Sequence, residues 1–339
     1  MTGAIILQEI ATNQMYQANP GSSPESPDQV VFAGKIVIVL SMETKDFLRI
    51  GTCSWKYDSW QGLVYPREKG FNYLQEYSRH FSTVEVDQWF WSLFKGNAAV
   101  LPKPEVVKAY AEAVPPGFLF SIKVPNCITL THHYSKSKTA PLIRNPFFLS
   151  TGMMARFLHA IEPLGDHIGP LMFQFGYLNK IKMSSLNHFL DMFGVFHQGL
   201  PGGYQYCLEI RNPNYLRREY FDFLFEHHLG NVFLQGYYMP SIFEVYGKCR
   251  NRLSDPVVIR LHGAGRQGIE EHSGDSWDKI LEPKDDQLLQ LRAMIEDLRN
   301  RQHQIFINVN NHYEGSAPRT IAKIKALLSA DLQRVAMSG

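Results

Sequence analysis

Eight short apolar stretches recur along the chain, and in five of them polar residues fall on one strand face near the C-terminal end. These are Glu85 and Asp87 in Thr83–Trp89, Ser121 and Lys123 in Leu119–Pro125, Glu209 and Arg211 in Tyr206–Asn212, Arg260 and His262 in Val257–Gly263, and Asn308 and Asn310 in Ile305–Asn311. A β-strand sends alternate side chains to opposite faces, so each pair shares a face while its aliphatic neighbours take the other. Five strands therefore aim ionisable or amide groups at one place. The remaining candidate strands are Arg49–Ser54, Gly169–Gly176 and Asn231–Tyr238. Helix-like runs separate them, among them Asn72–His80, Pro104–Val114, Thr151–Pro163, Ser184–Phe196 and Leu216–Leu229, and Ala317–Leu328 follows the eighth strand. This alternation predicts an α/β fold, a TIM-type (β/α)8 barrel forming a single domain with an N-terminal extension.

Parallel strands covered on both faces usually read as unbroken apolar runs, so charge at alternate positions needs a cause. A barrel supplies one, because its inner face opens at the C-terminal mouth, where barrel enzymes carry their sites. A structural ion-pair plug is the competing account of the same pattern.

A length of 339 residues exceeds the roughly 250 typical of such a barrel, so the reading is an extension over 1–45 and a barrel over 46–339. Asn19–Gln29 has a linker's composition, and Ile36–Leu40 is left as either an edge strand or a cover for the barrel bottom. The latter run is far shorter than the roughly 20 apolar residues a membrane helix needs, so no membrane partner is expected. Cys53, Cys127, Cys207 and Cys249 are widely spaced without a CxxC pair, which reads as buried reduced thiols and a cytoplasmic location. A net charge of +2 neither requires nor excludes a nucleic-acid partner.

Several strings, in order, resemble the DUF72 (YecE-like) family: Gly51-Thr52-Cys53-Ser54-Trp55, Trp60-Gln61-Gly62, Phe81 through Val86, Pro116 through Lys123, Leu208-Glu209-Ile210-Arg211, Arg260-Leu261-His262-Gly263, and Asn310-Asn311 with Gly315-Ser316-Ala317. The resemblance runs from about Arg49 to Leu328 and implies a barrel related to the triosephosphate isomerase fold, with no defined activity. The chain departs from the family at Ser54, where Gly is usual, at Trp89-Phe90-Trp91, and at Phe175-Gly176-Tyr177, although Gln174 is kept.

The expected catalytic groups are Glu85 or Glu209 as general base, His262 as acid or base and Lys123 as acid or electrophile, with a Schiff-base role for Lys123 as the lesser alternative. The expected ligand-binding set is Asp87, His132, Gln174, Arg211, Arg260, Gly263, Gly265, Asn308, Asn310 and Asn311. Arg211 and Arg260 suit an anion through their planar donor forks. The Gly263–Gly268 loop, with Ser316 capping the last helix, fits a phosphate site of the kind barrels build after strands seven and eight. Metal ligation is not favoured, because the neighbouring cations oppose it and no short ligand spacing occurs; the cofactor is left unknown. Trp55, Tyr57, Trp60, Trp89, Trp91, Tyr177 and Tyr237 lie near the mouth, with packing favoured over stacking on a ligand. The first functional reading is acid/base catalysis on a small anionic or sugar-like ligand, possibly phosphorylated. The alternative is nucleic-acid binding or processing, supported by the basic Tyr134–Lys138 loop, and a non-catalytic ligand sensor is the third class.

Overall fold

The computed structural model describes residues 29–32, 35–38, 47–94, 98–134 and 141–337. The chain divides between Lys45 and Asp46 into two units. Within the first, Gln29–Phe32 pairs antiparallel with Lys35–Ile38. The Ile36–Leu40 run therefore falls largely in a strand of its own hairpin, and the barrel closes without it. The expected Asn19–Gln29 linker, apart from Gln29, and the basic Tyr134–Lys138 loop, apart from Tyr134, lie outside the described residues.

The second unit is a closed parallel barrel. Its strands are β1 Leu48–Cys53, β2 Thr83–Val86, β3 Leu119–Lys123, β4 Ile168–Phe175, β5 Tyr206–Ile210, β6 Gly230–Gln235, β7 Ser254–Leu261 and β8 Ile305–Val309. One crossover helix follows each strand: α1 Tyr73–Ser78, α2 Pro104–Glu112, α3 Thr151–Ile161, α4 Leu186–Gln198, α5 Arg218–Glu226, α6 Ile242–Cys249, α7 Asp285–Asn300 and α8 Ala317–Met337. Local chemistry starts several of them. Asn72, Ser150 and Ser185 cap α1, α3 and α4 by accepting from free amides of the first turn.

Alternation sorts the strands as the sequence predicts. Val84, Ile122, Phe173, Leu208, Ile259 and Ile307 face outward into the main core beneath the helices. Met172, Cys207, Val232, Val258 and Phe306 form a smaller apolar cluster inside the barrel. Four fully or largely buried cysteines are all free, in agreement with the reduced-thiol reading.

The strands end about two residues earlier than the sequence pattern suggests. Asp87, Arg211, His262 and Asn310 therefore lie just past the regular strands. Backbone pairing still continues there: Arg211, His262 and Asn310 donate N–H bonds to Phe175, Gln235 and Leu261 carbonyls. The alternation of side chains thus carries past the strand ends, which keeps each polar pair on one face.

Candidate active site at the barrel mouth

Glu85 from β2, Glu209 from β5, Arg260 from β7 and Gln174 from β4 meet inside the barrel. The Arg260 guanidinium grips Glu85 with Nε and Nη2, both at 2.7 Å, while Nη1 reaches Glu209 Oε2 and, at 3.2 Å, Gln174 Oε1. All four residues are buried, with Arg260 only 2% exposed. Two carboxylates and one guanidinium would be left with excess negative charge, and Arg211 redresses it: its Nε donates to Glu209 Oε1 at 2.8 Å and its Nη2 to Gln174 Oε1 at 3.1 Å. Burial pushes the Glu209 carboxyl up, but Arg260 and Arg211 outweigh it and hold the group at about 2.

This geometry corrects two expectations. Glu209 is a carboxylate too weakly basic to serve as general base near neutral pH. Arg260 has both edges of its fork occupied by protein carboxylates, so the anion-binding role expected of it has no room in this arrangement. The plug account of the sequence pattern describes this layer well. Asn308 and Ser121 share its inner face by register, and the Asn308 amide and Ser121 hydroxyl have no protein partner there.

His262 lies above the plug. Its Nδ1 is 3.3 Å from the Tyr237 hydroxyl and its Nε2 is 3.8 Å from Cys53 Sγ, which in turn lies 3.5 Å from Glu85 Oε2. Burial, reinforced by Arg260, Arg211 and Lys123, drives the imidazole well below its ordinary range, so it is neutral at pH 7 and no cationic acid. The Cys53 thiol is pushed well up by burial and then by Glu85, and so stays protonated. Sequence reasoning took Cys53 as a packing thiol and missed its place here. Its position two residues after the inward Gly51 was the available signal.

Asp87 and Lys123 stand on the mouth side of the plug, both half-buried. Burial and then Glu85 raise the Asp87 carboxyl, while Lys123 and Arg260 act against the rise. Burial and then Arg260 lower Lys123, against the pull of Glu85, Glu209 and Asp87. The Lys123 ammonium also sits 4.1 Å from the centre of the Phe90 ring. Among the described residues no direct ion pair joins Asp87 to Lys123. Arg211 keeps about a fifth of its side chain exposed and stacks its guanidinium 5.1 Å from the Tyr237 ring centre. Its Nη1 makes no hydrogen bond among the described residues and is the donor an incoming anion can use.

A cleft of about 770 Å³ opens beside Asp87, walled by Trp55, Phe71, Tyr73 and Tyr110, with Lys56 at its edge. The aromatics divide into two groups. Trp55, Trp60 and Trp89 are packed, as expected, whereas Trp91 and Tyr177 are exposed. Trp91 contacts exposed Tyr134, and Tyr177 contacts exposed Tyr238, giving two aromatic pairs on the C-terminal loops.

Other expected ligand groups serve the loops. Asn310 Oδ1 accepts the His312 amide and closes a turn; Asn311 Oδ1 accepts the Ala317 amide at the start of α8. Gly263 is needed because a Cβ there would collide with the His312 carbonyl, so its role is close backbone packing. Ser316 is fully buried, and the chain at Lys279–Leu281 packs directly on Gly315. These contacts crowd the start of α8, where the Ala317 amide is already taken by Asn311. Gly265 is exposed ahead of a helix over Arg266–Ser273. His132 bonds Thr131 Oγ1 and stands beside Lys182 and Arg144, which with burial lower its pKa, apart from the plug. Among the described residues no cluster of His, Cys, Asp or Glu is arranged to hold a metal. No helix among them is long and apolar enough to cross a membrane.

The family model described as "Protein of unknown function DUF72" matches residues 49–338. The chain belongs to the DUF72 family. Among curated proteins this DUF72 chain is 28% identical over 170 residues to the UPF0759 protein YecE of Escherichia coli, covering 50% of each sequence. It thus spans about half the length of the curated relatives it matches. Two solved DUF72 structures share its fold. That from Thermotoga maritima has a TM-score of 0.59 at 21% identity, covering 83% of this chain and 99% of its own. That from Enterococcus faecalis has a TM-score of 0.57 at 16% identity, covering 83% and 95%.

Proposed function

We propose that this DUF72 protein is an enzyme that uses Asp87 and Lys123 for acid/base catalysis on a small polar or anionic ligand at the barrel mouth. One observation carries the reading: Asp87 is moved up and Lys123 down, so their proton affinities approach each other across an accessible mouth. Opposed shifts of neighbouring groups are how one site holds an acid and a base at the same pH. A carboxylate with raised affinity is a stronger base toward a proton on carbon, oxygen or water, and an ammonium with lowered affinity is a stronger acid toward a leaving or carbonyl oxygen.

The plug supports this work electrostatically. Glu85, Glu209 and Arg260 fix the charge beneath the pair, and Arg211 holds one free donor for a carboxylate or phosphate group. The cleft beside Asp87 and the exposed aromatic pairs suit a flat or sugar-like portion of the ligand.

The test is turnover of a panel of sugar phosphates and small carboxylates by the parent, Asp87→Asn and Lys123→Met. The reading expects a compound whose turnover falls about 10²-fold or more in each variant while the melting transition persists. Unchanged turnover in both would overturn it. Binding of an oligonucleotide that weakens steeply with salt, without turnover of any small compound, would favour the nucleic-acid reading.

A further inference from the structure

A second cavity, of about 720 Å³, lies at the opposite end of the barrel, where β1, β2 and β3 begin. Arg49, Arg79, Arg299 and Lys325 line it, and none of its lining residues is acidic. Among the described residues only Arg79 has a carboxylate partner, Glu76 at 2.9 Å, in a pair that leaves Arg79 largely exposed. Three positive charges therefore converge on one cavity without a counter-charge among the described residues. In a barrel the end opposite the catalytic mouth usually carries packing and stability, so an uncompensated cationic cavity there needs its own explanation.

Helix polarity explains part of it. Arg79 and Arg299 close the last turns of α1 and α7, where cations complement the helix dipole. It does not explain Arg49, which is on a strand, or Lys325, which is mid-way along α8. Arg49 uses Nη1 to hold the Ser82 and Gly117 carbonyls, while its buried Nε has no partner. Lys325 lies 5.5 Å from the Phe81 ring centre and is otherwise exposed. The Arg299 fork, the remaining Nη2 of Arg49 and the Lys325 ammonium together match an anion with several oxygens at two adjacent centres.

We propose that this cavity is a binding site for a small molecule bearing a diphosphate, separate from the catalytic mouth. A diphosphate spreads its charge over two linked tetrahedral groups, which lets Arg49 and Arg299 act on one and Lys325 on the other. The Pro115-Pro116-Gly117 turn forms one wall and leaves width for a flat group attached to the diphosphate.

The experiment titrates pyrophosphate and adenosine diphosphate into the full chain by calorimetry, for the parent, for Arg299→Gln combined with Lys325→Gln, and for Arg211→Gln. Both substitutions in the double variant fall on exposed helix positions and leave the Arg49 bonds to the barrel intact. Saturable binding in the parent is expected; the component belonging to this cavity is at least tenfold weaker in the double variant and unchanged in Arg211→Gln, which removes only binding at the mouth. Equal affinity for the two probes assigns the site to the diphosphate alone, and tighter adenosine diphosphate binding extends it to a nucleotide. Absence of saturable binding of either probe, or binding lost in Arg211→Gln but kept in the double variant, would overturn the proposal.

Discussion

Glu85, Glu209 and Arg260 form the floor of the mouth, and Asp87, Arg211 and His262 follow them by two residues on the same chain segments. Each floor group is buried and bonded to an opposite charge, and Arg260 joins both carboxylates. Asp87 and Arg211, by contrast, are only half-buried, and Asp87 is displaced from its usual proton affinity without a direct ion partner. A shift of two residues, about 7 Å along a strand, thus separates charge that holds the barrel together from charge available to a ligand. The comparison teaches that inward-facing ionisable groups in a barrel divide by depth. The deeper layer is matched once Arg211 reaches down to Glu209, whereas Asp87 in the shallower layer has no ion partner among the described residues.

Breaking the floor should have the largest effect. Arg260→Met leaves Glu85 buried without its ion partner and Glu209 with Arg211 alone, and removing one member of such a network costs about 3–5 kcal/mol. Arg211→Met removes a partly exposed partner from a buried carboxylate that keeps Arg260, and should cost less than Arg260→Met. Chemical denaturation of the two variants checks the order, and equal losses would erase the distinction between layers. At the rim the expected pattern reverses: Asp87→Asn should change stability by less than about 1 kcal/mol, because it removes no ion pair. It should still abolish most turnover.

Acidification sharpens the same contrast. Glu209 titrates at about 2 in the folded chain, below its ordinary 4.5, so its stabilising contribution is present above 4.5 and lost as pH falls toward 2. His262 is also lowered, from 6.5, by burial and by Arg260, so the unfolded chain takes up its proton first and stability begins to fall below pH 6.5. Asp87 has the opposite sign: its carboxyl is raised, so protonation near its folded value favours the native state. Melting temperatures between pH 7 and 3 should therefore decline, and His262→Gln should flatten the upper part of that decline. A parent whose melting temperature is constant from pH 7 to 5 would contradict the buried neutral imidazole.

The barrel was legible because both of its periods are strong. Strands such as Leu208–Arg211 alternate cleanly, and the helices α1 to α5 fall within a few residues of the expected segments, while α8 starts where expected and runs nine residues past Leu328, to Met337. The helices α6 and α7 were not singled out, although Asp285–Asn300 is the longest fully described of them. Its Leu288, Leu291, Ile295 and Leu298 carry a helical period that was available to find it. Site residues were legible as a group because alternation fixes which face they share. Their roles were not, since spacing along the chain says nothing of which cation reaches which carboxylate across the barrel: Arg260 and Glu85 meet over a separation of 175 residues. Asn310, Asn311 and Gly263 have local roles that spacing does not reveal. Amides and glycine serve a turn or a ligand equally well, and here the His312 and Ala317 backbones take up Asn310 Oδ1 and Asn311 Oδ1, and the His312 backbone crowds Gly263.

Two rim residues hold the left-handed backbone that disfavours side chains, Ser54 at φ 66° after β1 and Tyr237 at φ 54° after β6. Left-handed geometry costs an L-residue about 1–2 kcal/mol, and at Ser54 it gives a physical reason for the glycine usual in the family. Tyr237 has a compensation that Ser54 lacks, because its ring stacks on Arg211 and its hydroxyl meets His262. Ser54→Gly should therefore stabilise the chain slightly, by up to about 1 kcal/mol once the extra freedom of glycine in the unfolded state is deducted. Tyr237→Gly should remove the same backbone strain yet lower stability and weaken anion binding at the mouth, since Arg211 loses the surface that orients it. Denaturant midpoints for the pair would decide the matter: a gain in both would mean that the tyrosine contributes nothing to the rim, and a loss in both would mean that Ser54 is not strained.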